Sequence, residues 1–339
     1  MKKILQISTL VLLLVFMVAC SDQTKEDSSV KAKKETSAVI DDKKTDEVIN
    51  IAVPKAPPAL PLLRMKENHS LGKNVDINIS TWEEPESLIA MVQGDEHDMF
   101  AFPLTVISKL YNKGMDVKLM NVNTWGVASF LTTDKNFKSW SDLKGKTVYV
   151  TLQSSPPDIL TQYFLKEAGL EVGKDVTINY ASKPEIAQLL ISGKAQYATL
   201  IEPEATKVTM ENPKAKIAFS FEDEWKRVNN TDTMIANAGI GAKDSFISKN
   251  PDLMKKFQEE YKKALNWTLK NPKEAGILAE KHLGLDAQLI EKAIPNMGLN
   301  YKSAEESKEE LSMLYKLLFN FDPKTIGGNI PNESMYYQD

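Results

Sequence analysis

Residues 146–157 read Lys-Thr-Val-Tyr-Val-Thr-Leu-Gln-Ser-Ser-Pro-Pro, which is typical of a buried strand that runs through a short loop into a helix. The same order of features occurs near the start of the chain, where the apolar run 48–53 leads to a second Pro-Pro pair at positions 57 and 58. Proline is tolerated in the first turn of a helix, because its missing N–H would have no partner there. The two stretches therefore predict helices over residues 59–67 and 158–168.

The spacing between these stretches recurs downstream. Pro85 and Pro184 lie 99 positions apart, as Pro57 and Pro156 do, and each opens a further helix. Glycines at positions 94 and 193 are placed to end those helices. Predicted strands flank both helices, at residues 75–80, 98–102, 176–181 and 196–201. The order strand, helix, strand, helix, strand occurs twice and predicts an α/β protein of two lobes, each a mainly parallel sheet flanked by helices. A single larger doubly wound domain without a duplication is the alternative.

The remaining segments are assigned to a hinge and to a helical C-terminal region. Extended runs in residues 117–133 and 233–242 are expected to cross between the lobes, once in each direction. Residues 246–319 are expected to be mostly helical, and 254–270 has an apolar face that should pack on the first lobe. The predicted first lobe is 48–130 plus 240–339, and the second lobe is 131–239.

The first 47 residues predict a targeting segment. Two lysines precede an apolar run at residues 10–19, a length typical of a signal peptide and short for a transmembrane helix. We interpret residues 1–19 as the signal peptide and 20–47 as a flexible tether, because residues 21–47 are polar and contain no aromatic residue. The run Met-Val-Ala-Cys at 17–20 resembles the lipobox of bacterial lipoproteins, which implies cleavage before Cys20 and a lipid anchor on it. An ordinary secretory peptide with an incidental cysteine is the alternative.

Composition excludes several classes of function. The net charge of −4 gives no general basic surface for nucleic acid, and one cysteine allows no intramolecular disulfide. The three histidines are far apart in sequence and do not predict a zinc site. No phosphate-binding loop or nucleophile motif occurs, so we expect neither a cofactor nor catalysis.

The order and spacing of several short strings resemble the solute-binding proteins of ABC importers, in the class that serves nitrate, taurine, aliphatic sulfonates and thiamine-pyrimidine precursors. These strings lie at residues 56–62, 87–94, 98–103, 144–148, 164–170 and 201–203. The resemblance implies a two-lobed periplasmic-binding-protein fold of type II. It also implies a monomeric, lipid-anchored receptor on the extracytoplasmic face of the cell membrane. Such a receptor delivers a small polar organic ligand to a permease that is driven by an ATPase.

Two departures from the family pattern leave the ligand undefined. Ile201 stands where the family often has an aromatic residue, and the loop 153–157 differs from the usual Gly-Ser type. A ligand sensor without transport is one alternative function. An enzyme is the other, since yeast thiamine-pyrimidine synthases resemble this fold, but they need a histidine and a cysteine-rich segment that this chain lacks.

The candidate binding residues follow from where the strands end. Ligands of open α/β sheets bind outside the carboxyl ends of the strands, so the loops there should line a cleft between the lobes. Ser154 and Ser155 precede a helix, where free N–H groups suit an anionic group, or they act only as N-caps. Glu202 ends a strand and could accept bonds from an amine or hydroxyl, or serve as a cap or ion-pair partner. Because Glu202 would repel a fully anionic ligand, we expect a zwitterionic or mixed polar one.

The other candidates are aromatic or neutral. Trp82 and Trp125 could sandwich a ligand or simply pack in the core or hinge, and Pro57 and Thr105 could line the floor of the cleft. The chain has only two arginines, Arg64 and Arg227, so a bidentate clamp on an anion could come only from those positions.

Overall fold

The computed structural model describes residues 47–338. The predicted signal peptide, Cys20 and nearly all of the predicted tether lie outside these residues. The strands are β1 (Glu47–Pro54), β2 (Val75–Trp82), β3 (Met99–Pro103), β4 (Lys118–Trp125), β5 (Ala128–Thr132), β6 (Thr147–Thr151), β7 (Thr177–Ala181), β8 (Tyr197–Ile201), β9 (Lys216–Ser220), β10 (Ala236–Ala242) and β11 (Leu299–Ser303). The α-helices are α1 (Ala59–Glu67), α2 (Pro85–Gln93), α3 (Leu104–Asn112), α4 (Pro156–Glu167), α5 (Lys183–Ile191), α6 (Glu204–Glu211), α7 (Phe221–Asn229), α8 (Asp244–Lys249), α9 (Pro251–Lys270), α10 (Pro272–Leu283), α11 (Ala287–Ala293) and α12 (Lys308–Phe321).

The predicted duplication is present in the two sheets. In the first sheet, β1 pairs in parallel with β2 and β3, and in the second sheet β6 pairs in parallel with β7 and β8. The helices α1, α2, α4 and α5 begin at or within two residues of the predicted starts. The strand–helix alternation was therefore confirmed in both halves.

Each sheet contains the predicted parallel strands, and both sheets are mixed because they also contain antiparallel pairs. The first sheet has the order β11-β4-β10-β3-β1-β2, and the second has the order β7-β6-β8-β5-β9. Strand β10 runs antiparallel to β3 and β4, and β5 runs antiparallel to β8 and β9. Both β5 and β10 enter their sheet from the other lobe, so they start at the edge where the parallel strands end. They must therefore run in the opposite direction.

The chain changes sheets at two places. Strand β4 belongs to the first sheet and ends at Trp125, and β5 begins the second sheet at Ala128. The return occurs between α7 and β10, which begins at Ala236. These changes of sheet lie a few residues before the predicted lobe boundaries at 130/131 and 239/240.

Four elements were missed by the sequence patterns, and one of them is α3, which follows β3 where a loop with Thr105 was expected. Strand β9 and helix α7 lie in a stretch that has no counterpart in the duplication, and α7 is mostly charged. Strand β11 lies within the region expected to be helical and pairs antiparallel with β4 at the edge of the first sheet. Each of these elements is short, so its hydrophobic pattern cannot be distinguished from that of a loop.

Each lobe has its own apolar core. Helix α9 packs on the first sheet through Phe257 and Tyr261, which share a buried cluster with Ile49 and Ile51 of β1, so its predicted role was confirmed. The second core is rich in aromatic side chains such as Phe130, Trp140, Phe164 and Phe221. Within residues 47–338, no helix combines the length and apolar character that spanning a membrane requires.

Candidate functional site

The topology brings the carboxyl ends of both sets of parallel strands to the crossing between the lobes. Strand β4 runs in the same direction as β1–β3, since all of them are antiparallel to β10. Pro103 at the end of β3 and Trp125 at the end of β4 pair with neighbouring positions of β10. In the second sheet Ala128 pairs with Ile201, the last residue of β8. The loops that follow β1–β3 and β6–β8 therefore lie at the edges that the crossing joins.

Glu202 lies beside this crossing. Its N–H donates to the carbonyl of Val127 at 3.3 Å, and its side chain is only 1% exposed. Oε2 accepts a hydrogen bond from the N–H of Thr206 at 3.1 Å, whereas Oε1 has no hydrogen-bond partner among the described residues. Burial raises the pKa of the Glu202 carboxyl to about 7. Glu202 thus accepts a hydrogen bond from the first turn of the following helix, as a cap would, and also has a buried acceptor that no described residue satisfies.

A second carboxyl group lies two residues further on. Oε2 of Glu204 is buried and also lacks a hydrogen-bond partner within residues 47–338. Glu204 is the first residue of α6, which packs against α11 of the C-terminal region. The charge of Glu204 contributes to the raised pKa of Glu202. The turn at the end of β8 therefore carries two carboxyl groups with unsatisfied oxygens.

The two predicted serines do not cap their helix through their side chains. Ser154 is exposed and has a positive φ of 62°, and its N–H donates to Oδ2 of Asp158 at 2.8 Å. The Ser155 hydroxyl donates to the carbonyl of Thr151 at 3.1 Å. Pro156 and Pro157 have no N–H, so the first turn of α4 offers fewer free donors than the anion argument assumed. Ser154 is exposed at the protein surface.

Asp158 holds this loop, and the sequence patterns missed it. Its side chain is fully buried and accepts hydrogen bonds from the Ser154 N–H, from Nε2 of Gln162 at 2.9 Å and from the Tyr180 hydroxyl at 3.0 Å. An acidic residue in the first turn of a helix is a common feature, and it does not by itself show that the side chain turns back to the preceding loop. The Pro-Pro-Asp order is the only signal that could have identified it.

The two tryptophans differ in their surroundings. Trp82 ends β2, is 7% exposed, and its Nε1 has no hydrogen-bond partner among the described residues. Trp125 is buried, and its Nε1 donates to the carbonyl of Asn300 at 2.7 Å, which ties β4 to β11. Trp125 is therefore fixed at the crossing by its bond to β11, whereas the buried Nε1 donor of Trp82 has no partner among the described residues.

The remaining candidates are buried at the starts of helices. Pro57 lies just before α1, and the adjacent Pro58 accepts a hydrogen bond from the Tyr261 hydroxyl at 2.9 Å. Thr105 lies in the first turn of α3 and is buried, with its carbonyl accepting a hydrogen bond from the Ser108 hydroxyl. Both residues follow strands of the first sheet at its carboxyl edge, as expected.

Both arginines are engaged elsewhere. The Arg64 guanidinium lies 4.2 Å from the ring centre of Trp267, and Arg227 pairs with the buried Glu224 at 2.7 Å. Lys55, in the loop after β1, lies 3.8 Å from Glu83. Within residues 47–338, no three His, Cys, Asp or Glu side chains converge in a way that would hold a metal ion.

Comparisons with known proteins agree with this architecture. The family model described as "NMT1/THI5 like" matches residues 72–275. A Bacillus subtilis (strain 168) protein named "Putative binding protein YtlA" is 26% identical over 206 residues, which cover 58% of this chain and 57% of that protein. The chain thus spans little more than half the length of this relative.

Solved structures with the same fold include an ABC transporter protein from Parabacteroides distasonis, with 24% identity and a TM-score of 0.75 over 86% of this chain and 99% of that one. The periplasmic aliphatic sulphonate binding protein SsuA from Escherichia coli is 15% identical, with a TM-score of 0.71 over 86% and 92% of the two chains. The periplasmic nitrate-binding protein NrtA from Synechocystis PCC 6803 is 17% identical, with a TM-score of 0.56 over 76% and 74%. These likenesses confirm the predicted two-lobed fold of the periplasmic-binding-protein type II class.

Proposed function

The chain belongs to the NMT1/THI5-like family, and from this premise we propose that it is the extracytoplasmic substrate-binding protein of an ABC importer. It captures a small polar organic ligand between its lobes and delivers it to a permease driven by an ATPase. The names of its similar proteins support this role, since one relative is named a putative binding protein, one solved structure an ABC transporter and another a periplasmic aliphatic sulphonate binding protein. The protein acts by binding and closing, not by catalysis.

The observation that carries the proposal is a pair of buried polar atoms, one from each lobe. In the part of the chain that the structure describes, no group accepts from Nε1 of Trp82 in the first lobe and none donates to Oε1 of Glu202 in the second lobe. A buried polar group that makes no hydrogen bond costs about 1–3 kcal/mol. Both atoms lie at the carboxyl edges of the parallel strands, where ligands of α/β sheets bind. A ligand that satisfies both atoms would therefore stabilise the closed arrangement of the lobes.

We assign the other candidates to roles around these two atoms. The Ser154 hydroxyl contacts the ligand, and Ser155 shapes the loop through its bond to Thr151. Pro57 and Thr105 line the floor on the side of the first lobe. Trp125 contributes a ring face and fixes the hinge strand, because its N–H is already bound to Asn300.

Membrane attachment belongs to the proposal as well. Cys20 carries the lipid that holds the mature protein at the extracytoplasmic face of the cell membrane. Several acyl chains on one residue bind a membrane far more stably than a single chain. Cys20→Ala should release the protein or leave an uncleaved precursor, and a variant that is still lipid-labelled and membrane-bound would overturn this assignment.

The proposal is tested by identifying the ligand and then perturbing the site. Native mass spectrometry of protein purified without denaturation identifies a carried ligand, and calorimetric titration measures its affinity. Glu202→Ala and the double variant Ser154→Ala/Ser155→Ala should each weaken binding about ten- to a hundredfold, as expected when one partner of a buried polar contact is lost.

Matched controls lie on the same lobe. Ser192→Ala removes a hydroxyl that donates to the Gln188 carbonyl at the far end of α5, and Glu211→Ala removes an exposed carboxylate at the end of α6. Both controls should bind as the unmodified protein does. Unchanged affinity in the serine and Glu202 variants would place the site elsewhere.

A further inference from the structure

The helices at the edge of the cleft are poorly suited to bind an anion. Each helix that follows a parallel strand of either repeat, namely α1–α6, has proline as its N-cap or within its first two positions. Every proline in a first turn removes an N–H that could otherwise bind an anionic group. Acidic residues also occupy the first turns of four of these helices, at Glu86, Asp158, Glu185 and Glu204. The partial positive charge at these helix ends is therefore offset by the protein's own carboxylates.

The positions of the cationic side chains also argue against an anionic ligand. The Arg227 guanidinium pairs with Glu224, and Arg64 lies over Trp267 in the last turn of α1, away from the helix start at the carboxyl edge of the strands. Lys55 lies at the edge of the first lobe but faces Glu83. At these helix starts a sulfonate or nitrate group would meet four first-turn carboxylates, against the exposed Lys183 at the start of α5.

The residues that follow β8, in contrast, favour a ligand group that donates hydrogen bonds. Glu202 is almost completely buried, and one oxygen of Glu202 and a buried oxygen of Glu204 have no hydrogen-bond partner within residues 47–338. An ionised carboxylate only accepts hydrogen bonds, so a ligand group that binds the ionised form of Glu202 must donate to it. Bonds from a charged donor to a carboxylate are roughly twice as strong as neutral ones.

We infer that the ligand presents a hydrogen-bond-donating nitrogen to Glu202, as an ammonium, amidinium or amino-substituted heterocycle does, and is not held chiefly through a sulfonate or nitrate group. This inference rests on the proposed function, because it names the class of ligand for the same cleft. It separates this chain from the structural neighbours whose names refer to aliphatic sulphonate and nitrate. The raised pKa of Glu202 is consistent with a carboxyl group that becomes fully ionised only when a cationic partner arrives.

The test uses two sets of probes in thermal-shift and titration experiments on the mature chain. The nitrogen set contains alkylamines, amino alcohols, amidines, amino-substituted heterocycles and 2-aminoethanesulfonate. The anion set contains nitrate, methanesulfonate and 2-hydroxyethanesulfonate, which differs from 2-aminoethanesulfonate only by a hydroxyl in place of the ammonium. We expect stabilisation by members of the nitrogen set, and an affinity at least tenfold weaker in Glu202→Gln for the best of them.

Two further variants keep the result interpretable. Glu204→Gln should also weaken binding, and it tests the inference independently if Glu202→Gln does not fold. The control is Glu211→Gln, on the exposed end of α6, which should leave the affinity unchanged. Stabilisation by the anion set alone would overturn the ligand class and leave the receptor function standing. An unchanged affinity in both Glu202→Gln and Glu204→Gln would also overturn the inference. No stabilisation by either set would count against the ligand class and the proposed function together.

Discussion

The Glu202 carboxyl is a costly group to bury, and its cost depends on pH. Its pKa is raised from 4.5 to about 7, chiefly by burial and further by the charge of Glu204, while the hydroxyl and N–H of Thr206 oppose the rise. The folded protein therefore binds this proton more tightly than the unfolded chain does. The resulting contribution to stability is fully present below about pH 4.5 and is lost as the pH rises through about 7.

Replacing this group with a neutral isostere should remove that dependence. In Glu202→Gln, we expect the fall in unfolding free energy between about pH 4.5 and 7 to be smaller than in the unmodified protein by up to about 3 kcal/mol. Denaturant unfolding of the ligand-free proteins across this range measures the difference. Glu211→Gln, which changes an exposed carboxylate on the same helix, should leave the profile unchanged. Parallel profiles for the unmodified protein and Glu202→Gln would contradict the assignment.

At the residue scale, the sequence predicted where Glu202 lies but not its surroundings. A strand followed by Glu-Pro predicts a carboxylate at the carboxyl edge of a sheet. The absence of a partner for its Oε1 depends on packing from several elements, which no local pattern reports. Asp158 was missed for the same reason, since its three donors come from the preceding loop, from α4 and from β7.

The hinge depends on a glycine between β4 and β5. Gly126 has a positive φ of 49°, and its N–H donates to the carbonyl of Ile235 on the returning segment at 2.9 Å. The Glu222 carboxylate accepts the N–H of Ile235 at 3.0 Å, so it ties α7 to the same segment. A Cβ on Gly126 would lie 2.6 Å from both Cβ and Oε2 of Glu222. Both crossing segments are therefore fixed at one crowded point.

We expect Gly126→Ala to lower the unfolding free energy by more than the positive φ of Gly126 alone would cause, because the added Cβ would crowd Glu222. Gly193→Ala is the matched control, because Gly193 also has a positive φ, of 72°, but a Cβ there would meet no atom within 4 Å. The unfolding free energy of Gly126→Ala should fall below that of the control by about 1–3 kcal/mol, a range typical of overpacking. Equal losses in the two variants would show that crowding against Glu222 has no role.

At the element scale, the repeated spacing predicted most of the parallel strands and their helices. Proline and glycine fix helix starts and stops by local geometry, so this signal survives without tertiary information. The antiparallel direction of β5 and β10 depends on which lobe the chain comes from. Helix α7 is mostly charged, yet it packs through the buried side chains of Phe221 and Trp225. Neither property is visible in a short window of sequence.

The lobes also contact each other through apolar side chains. Ile159, in the second turn of α4, is fully buried and belongs to the cluster that contains Trp82 of the first lobe and Leu311 and Leu314 of α12. Its neighbour Leu160 is buried in the core of the second lobe. Ile159 therefore contributes to holding the lobes together without a ligand.

A matched pair of variants separates closure from stability. Ile159→Ala and Leu160→Ala should each lower the unfolding free energy by about 2–5 kcal/mol, as large-to-small core changes do. Only Ile159→Ala should increase the radius of gyration of the ligand-free protein in small-angle scattering. Expansion of both variants, or of neither, would show that Ile159 does not act between the lobes.

The most direct test of the receptor function is the shape of the protein with and without its ligand. A ligand that contacts both lobes favours the closed arrangement by its differential affinity for that arrangement. Small-angle scattering should therefore give a smaller radius of gyration when the ligand identified by native mass spectrometry is bound, and Glu202→Ala should need a higher ligand concentration for the same compaction. Tight binding with an unchanged radius of gyration would contradict closure of the two lobes on the ligand.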